Sequence, residues 1–187
     1  STDIKSGESA KAEAEETLKQ AQDDRVAAKT AMAEATAVRE KEAAAYASTK
    51  AEYDTNIAAV KKAVTSLEKG MSGSFLQTPT AQKLRSIVEN RQDMIEADQQ
   101  DILSFLSGAQ GSGYAPSSGE VTGILKQMGD TMAASLADAT AEEEAAIKSF
   151  NGLVEAKEKE IAALTAAVEA KTKSIGELGV EIVAMKE

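Results

Sequence analysis

Histidine, cysteine and tryptophan are absent from this chain of 187 residues, and aromatic residues make up only 3% of it. Without cysteine the chain forms no disulfide and offers no thiolate to a metal ion. Without histidine it lacks the side chain that most often serves as general base and metal ligand. A nucleophile also needs a neighbouring base or an apolar pocket, whereas the lysines here lie among glutamates. We therefore expect no enzyme activity, no catalytic residue and no cofactor-binding residue.

Long apolar runs and excess positive charge are also missing. No apolar run approaches the roughly 20 residues that a membrane-spanning helix requires, so we expect no membrane insertion. The formal net charge is −10, and nucleic acid phosphates repel an acidic surface, so no nucleic acid partner is expected. An acidic surface favours solubility, cationic partners or loosely bound calcium.

Helix-breaking residues are few and clustered. Both prolines and six of the twelve glycines lie within 70–80 and 107–119, and these residue types are the strongest breakers of a helical pattern. The sequence therefore predicts three helices, at about 8–69, 80–106 and 119–185. Loops at 70–79 and 107–118 join them into a single elongated helical domain over 1–187.

Alanine and helical spacing dominate what remains, as in long helices and coiled coils. The second half of the first helix has apolar residues at alternating steps of four and three, which is a coiled-coil pattern: Tyr53, Ile57, Val60, Val64, Leu67 and Met71. Between Ala35 and Tyr46 the apolar stripe slips by about one step of eleven residues. This interruption of the regular spacing predicts a local relaxation of the supercoil. Ser117 and Glu120 fit a capping box at the start of the last helix.

These stripes predict an all-α fold, either an antiparallel coiled-coil hairpin or a three-helix rod. If the first helix continues in line with the second, both pair with the third. Leu67 then lies near Lys157, and Tyr46 lies near Leu178. A three-helix bundle is the competing arrangement.

Further large apolar residues lie outside the stripes or in the loops. Exposed apolar flanks usually mark contacts with other molecules, and isolated surface hydrophobes without a role are the alternative. The residues expected to mediate self-association are Phe75, Leu76, Tyr114, Leu136, Ile147, Val154 and Val180. Phe75 and Leu76 have a second interpretation, as a plug for the helix junction.

Calcium ligands are the one metal chemistry that the composition allows. No segment fits an EF-hand loop, which needs oxygen ligands at alternating positions around a glycine. Asp98 and Asp101 lie one helical turn apart, and Glu142, Glu143 and Glu144 form an acidic run. We expect these residues to be weak sites between molecules, with a solvated acidic surface as the alternative.

Three segments resemble the matrix proteins of protist trichocysts and related extrusomes. They are SFLQT at 74–78, GYAPSSGEVTGILKQMGDTM at 113–132 and IKSFNGLVEAKEKEIAALTAAVEAKTKSIGELGVEI at 147–182. The resemblance implies a structural subunit that self-assembles, with copies of itself or related helical subunits, into the filament or paracrystalline matrix of a secretory, ejectile organelle. It also implies processing from a precursor, with Ser1 and Glu187 as processed ends. Exocytosis would leave the protein extracellular after discharge, with calcium-dependent repacking, and the family has no catalytic residues to carry over.

A second function fits the same helices. A helical-hairpin adaptor or tether would bind a protein partner through the loop tip at 111–116, where Tyr114 lies among glycines and serines.

Overall fold

The computed structural model describes residues 2–91, 94–108 and 117–187. It contains five helices: α1 (Thr2–Glu68), α2 (Ser72–Phe75), α3 (Pro79–Asn90), α4 (Glu96–Leu106) and α5 (Ser118–Lys186). The described residues contain no strand, so the predicted all-α class is confirmed. The two long helices have 67 and 69 residues, which corresponds to roughly 100 Å each.

The junction between α1 and α3 is built from local hydrogen bonds. Gly70 has a φ of 71°, and the amides of Gly70 and Met71 donate to the carbonyl oxygens of Leu67 and Ser66 at 3.0 Å each. This is a Schellman motif, which ends a helix at a left-handed glycine. Thr78 then caps α3, because its hydroxyl oxygen accepts from the Ala81 amide at 3.2 Å.

The start of α5 has the predicted N-cap. The Ser117 hydroxyl oxygen accepts a hydrogen bond from the Glu120 amide at 3.2 Å. That bond satisfies one of the backbone donors that the first turn of a helix leaves without a partner.

The predicted helix at 80–106 is wrong, because the chain forms α3 and α4 instead. Arg91 and Ile95, which flank the break, have extended backbones, with ψ angles of 119° and 133°. The two helices fold back on each other, and the Gln99 side-chain amide donates to the Val88 carbonyl oxygen at 2.8 Å. The break buries Leu84 and Ile102 completely, which one straight helix with a single apolar stripe would not achieve.

Contacts group the chain into two compact units, where the sequence predicted a single domain. Unit 1 comprises Ser1–Glu42 and Glu144–Glu187, and unit 2 comprises Ala43–Glu143. Each long helix contributes one part to each unit.

Unit 1 is an antiparallel pair of helices. Lys186 Nζ lies 2.6 Å from Glu8 Oε1, and Lys171 Nζ donates to Thr17 Oγ1 at 2.9 Å. A Cβ on Gly7 would come within 3.1 Å of Ile182. Residue numbers therefore fall along α5 as they rise along α1.

Unit 2 packs four longer helical segments, from α1, α3, α4 and α5, together with the single turn of α2. Its part of α1 runs antiparallel to α5, since Tyr46 bonds Thr140 at 2.9 Å and Glu68 pairs with Lys126 at 2.6 Å. α3 runs back along α1, and α4 reverses again, so the helices alternate in direction as in an up-and-down bundle. The core draws residues from every helix: Val60, Ala63, Phe75, Leu84, Val88, Ile102, Val121, Leu125 and Met128.

This arrangement corrects the predicted pairing. Tyr46 contacts Thr140 and not Leu178, and the end of α1 lies at Lys126 rather than near Lys157. The prediction placed the first helix in line with the second, whereas α3 folds back beside α1. The start of α5 therefore pairs with α1 itself.

The buried positions of α1 keep a seven-residue spacing without a slip. The predicted slip between Ala35 and Tyr46 is wrong because Arg39, only 9% exposed, occupies the missing position. Its aliphatic stem packs against the seam while its guanidinium bonds Glu42 at 3.0 Å, as long cationic side chains often do. The buried and half-buried series is Ile4, Lys11, Leu18, Arg25, Met32, Arg39, Tyr46, Tyr53, Val60 and Leu67.

Candidate assembly surfaces

The described residues contain no group of three or more acidic side chains close enough together to hold a metal ion. Asp98 and Asp101 are half-buried on α4, and Glu142, Glu143 and Glu144 are consecutive residues of α5. Neighbouring side chains on a helix point about 100° apart, so the three glutamates do not converge.

Phe75 faces inward, whereas Leu76 is only half-buried. Phe75 is 3% exposed and belongs to the core of unit 2, and Leu76 packs against that core. The prediction of an outward self-association contact is therefore wrong for Phe75, whose place in the core agrees with the plug interpretation, and it stays a prediction for Leu76. Tyr114 and the predicted loop tip lie outside the described residues.

The other four predicted association residues differ in exposure. Leu136 packs against the core of unit 2, and Val154 is half-buried in unit 1, seven residues before the half-buried Ile161. Ile147 is 43% exposed and Val180 is 72% exposed. Val180 lies with Gly176, Val183 and Ala184 in a shallow depression of about 520 Å³ near the end of α5.

Further large apolar side chains are exposed in the structure. Val26 and Val38 on α1 are more than half exposed, as is Ile95 before α4. Leu153 on α5 is 42% exposed. The sequence indicates these residues only weakly. Alanine occurs on every side of the helices, so no single apolar stripe stands out as the one that faces a partner.

One side of unit 1 forms a groove of small residues. Its concave part, of about 660 Å³, lies between Ala27 and Ala31 of α1 and Ala163 and Ala167 of α5. Helical spacing continues this side in both directions along each helix. We call it the alanine face, and its positions are Asp24, Ala27, Ala31, Glu34, Val38, Leu153, Ala156, Glu160, Ala163, Ala167 and Ala170.

The opposite flank of unit 1 is polar. We call it the polar face, and its positions are Gln22, Val26, Lys29, Ala33, Thr36, Glu155, Glu158, Ala162, Thr165 and Glu169. Lys159, behind this flank, pairs with Glu155 at 2.6 Å. The two flanks of one helix pair therefore differ in chemistry.

Unit 2 has a groove of about 550 Å³ between α1 and α3. Met132 and Ile87 contribute apolar surface, and Lys83 and Glu52 contribute charge of both signs. The Asn56 side-chain oxygen is buried and has no hydrogen-bond partner.

Ion pairs on the surface perturb two charged groups. The Lys186 ammonium donates a hydrogen bond to Glu8 and lowers the pKa of that carboxyl below its ordinary value. The hydrogen bond to Asp54 raises the pKa of Lys50. Both groups are exposed, so solvent screens these interactions.

The chain forms long acidic helices that pair along apolar seams and leave whole flanks uncovered. These features place it in the class of helical structural proteins. The family model for trichocyst matrix protein T1-F matches residues 2–187, and the chain belongs to that family. The resemblance seen in the sequence is thereby confirmed, and it gives the chain a structural role in the trichocyst, a secretory organelle.

Two further comparisons give no match, since neither a curated protein nor a solved structure is similar enough to this chain. Within the described ranges, no helix has the length and apolar character needed to cross a membrane.

Proposed function

We propose that this chain is a structural subunit that assembles, with copies of itself or with related helical subunits, into the ordered filament or paracrystalline matrix of the trichocyst. The observation that carries the proposal is the exposure of large apolar side chains on helices whose seams are already paired within the chain. Val180 is 72% exposed and Val26 is 61% exposed. Contiguous exposed apolar surface commonly marks a contact with another molecule, and assembly would bury it.

Assembly is tested by sedimentation velocity over a wide range of concentration, together with electron microscopy of the concentrated protein. We expect mass to rise with concentration and the microscope to show filaments or sheets. Their axial repeat should be close to the helix length of roughly 100 Å. A monomer at every concentration, with and without calcium, would contradict the proposal.

The packing of these subunits depends, we propose, on divalent cations. The chain carries 31 acidic and 21 basic residues, so neighbouring copies repel one another at neutral pH. The Glu142–Glu144 run and the pair Asp98 and Asp101 offer incomplete sets of oxygen ligands that a neighbour would complete. Calcium between copies would favour one packing, and a change in calcium would favour another.

The cation dependence is tested on the assembled material by measuring its repeat and length against calcium and pH. The comparison variant replaces Glu142, Glu143 and Glu144 with glutamine. We expect the native material to change its repeat with calcium and the variant to change less. A repeat that ignores both calcium and pH would contradict the proposal.

A further inference from the structure

We propose that the two helices of unit 1 separate and pair again reversibly while unit 2 stays folded. The physical cause is a row of positively charged residues in the seam of unit 1, at positions where a stable helix pair has apolar residues. These seam cations are Lys11, Arg25, Arg39, Lys157 and Lys171. The inference goes beyond the proposed function, because it concerns a single molecule and does not depend on how copies assemble.

Two contacts fix the alignment of α1 with α5 in unit 1. A Cβ on Gly7 would lie 3.1 Å from Ile182, so these two positions face each other. Lys171 Nζ donates to Thr17 Oγ1 at 2.9 Å, which places Lys171 opposite the next residue, Leu18, in the seam. In an antiparallel coiled coil, a step of seven residues up one helix and down the other leads to the next pair of facing positions.

The two series of facing positions differ in chemistry. The series that starts from Gly7 and Ile182 places an alanine of α1 opposite a β-branched residue of α5: Ala14 and Ile175, Ala21 and Val168, Ala28 and Ile161, Ala35 and Val154. The series that starts from Leu18 and Lys171 places one cation opposite one large apolar residue: Lys11 and Leu178, Arg25 and Leu164, Met32 and Lys157, Arg39 and Phe150. All of these side chains are buried or half-buried, as facing positions should be.

Each seam cation lowers the stability of the helix pair. A cation beside an apolar side chain keeps its charge in water only by directing its aliphatic stem out of the seam, and a charge that stays inside loses hydration. Lys11 pairs with Glu15 at 3.7 Å, and Lys157 pairs with Glu160 at 2.6 Å. Both glutamates belong to the same helix as their lysine, so these ion pairs do not hold the two helices together.

Unit 2 has the core that unit 1 lacks. Within the described ranges, six large side chains are less than 2% exposed, and all of them belong to unit 2: Val60, Leu84, Val88, Ile102, Val121 and Leu125. The buried side chains of unit 1 are Ala21, Ala28, Arg39 and Ile182, and the lowest exposure among them is 3%. Local opening takes the least free energy where few apolar contacts are buried, so unit 1 should open first.

The connectivity of the chain permits this opening. The segment between the two helical parts of unit 1 is unit 2 itself, so no loop within unit 1 ties them together. Separation would free apolar seam residues such as Leu18, Met32 and Leu164 for contacts with other molecules. Unit 1 is then the part of the molecule that can rearrange, while unit 2 keeps its fold.

The seam cations are tested with a triple variant of the full chain. This seam variant combines Lys11→Leu, Lys157→Leu and Lys171→Leu, and it places apolar residues on both sides of three layers of the seam. Burial of the new side chains should hold the two helices of unit 1 together more strongly.

The matched control variant combines Lys29→Leu, Lys159→Leu and Lys173→Leu, at three exposed positions of unit 1. Each variant changes one lysine of α1 and two of α5, so composition and net charge change equally. Each variant also removes two ion pairs of similar length, since Lys159 pairs with Glu155 at 2.6 Å and Lys173 pairs with Glu177 at 3.8 Å.

Native-state hydrogen exchange of the dilute protein, followed by NMR in increasing urea, measures the opening of each unit separately. In the native chain, the opening constant of unit 1 amides such as Ala21 and Ile161 should exceed that of Val60 and Leu125 in unit 2 by roughly a hundredfold or more. The seam variant should lower the opening constant of unit 1 by about tenfold or more. The control variant should stay within about threefold of the native chain, because its leucines remain exposed.

Three results would overturn the inference. Equal opening constants for both units in the native chain would show that the chain opens as one. An unchanged opening constant in the seam variant would show that the seam cations do not cause the opening. Equal slowing of exchange by both variants would show a general effect of added leucine. Because the protein is dilute, none of these results bears on assembly, and the proposed function fails or stands separately.

Discussion

The Tyr46 hydroxyl lies 2.9 Å from the Thr140 hydroxyl oxygen, and this bond joins α1 to α5 in unit 2. Thr140 already donates its own hydrogen to the Leu136 carbonyl oxygen at 2.7 Å. Since a hydroxyl has one hydrogen to donate, Tyr46 is the donor in the bond between the two helices. Both side chains are half-buried, so the bond is partly shielded from water and helps to fix the register of the helices.

Removing this bond should destabilise unit 2 by about 1 kcal/mol, which is typical of one hydrogen bond. Tyr46→Phe removes the donor and leaves Thr140 bonded to Leu136. Thr140→Val removes the acceptor and leaves the Tyr46 hydroxyl without its partner, so its cost should be at least as large. Urea denaturation of both single variants and the double variant measures the coupling. Additive effects would show that the two hydroxyls do not interact.

Replacing Phe75 with alanine should lower the free energy of unfolding by about 3–5 kcal/mol. The ring is buried in the core of unit 2, and removing such a side chain leaves a cavity that the surroundings only partly fill. Met71→Ala is the matched control, because Met71 is half exposed just before α2. Thermal or urea denaturation distinguishes the two variants. Equal, small effects on stability combined with a loss of assembly would instead make Phe75 an intermolecular contact.

The sequence predicted those parts of the fold that depend on periodicity and local capping. The two long helices follow from alanine-rich heptads, and the Ser117 cap follows from a short motif. The break at Arg91–Ile95 was missed because no proline or glycine marks it. It is a tertiary effect, in which folding α3 onto α4 buries Leu84, Val88 and Ile102 together.

Two further errors arise from residue types that are compatible with more than one environment. The slip predicted between Ala35 and Tyr46 is wrong because Arg39, a charged residue, is 9% exposed and occupies the seam position between them. The alanine face was missed because alanine is compatible with exposure and with close helix packing alike, so composition alone does not separate the two. Its identity becomes visible only when the antiparallel pairing of unit 1 shows which alanines lie side by side.

Replacing Gly70 with alanine should destabilise unit 2 by about 1 kcal/mol, because a residue with a Cβ pays that cost in the left-handed region. A Cβ at Gly70 meets no atom within 4 Å, so the effect is one of backbone conformation and not of crowding. Gly73→Ala is the control, since Gly73 lies in α2 with an equally open Cβ position and no positive φ. We expect it to be neutral or slightly stabilising. Urea denaturation that ranks the two variants in the opposite order would contradict the assignment of the Schellman motif.

The Glu8 carboxyl should titrate below its ordinary pKa in the native chain and return toward that value in Lys186→Gln, because the hydrogen bond and charge of Lys186 hold it ionised. A carboxyl whose pKa is lowered by folding stabilises the fold above its unfolded pKa, and this contribution disappears as pH falls through the folded value. The loss therefore occurs in the acid range, below the ordinary glutamate pKa of about 4.3.

Carbon-13 NMR of the glutamate carboxyls measures this titration residue by residue. Raising the salt concentration should reduce the shift in the native chain, since both partners are exposed and screened. Lys173→Gln, on the same helix and paired instead with Glu177 at 3.8 Å, should leave the Glu8 titration unchanged. If Glu8 titrates identically in the native chain and in Lys186→Gln, the contact between the start of α1 and the end of α5 does not form in solution.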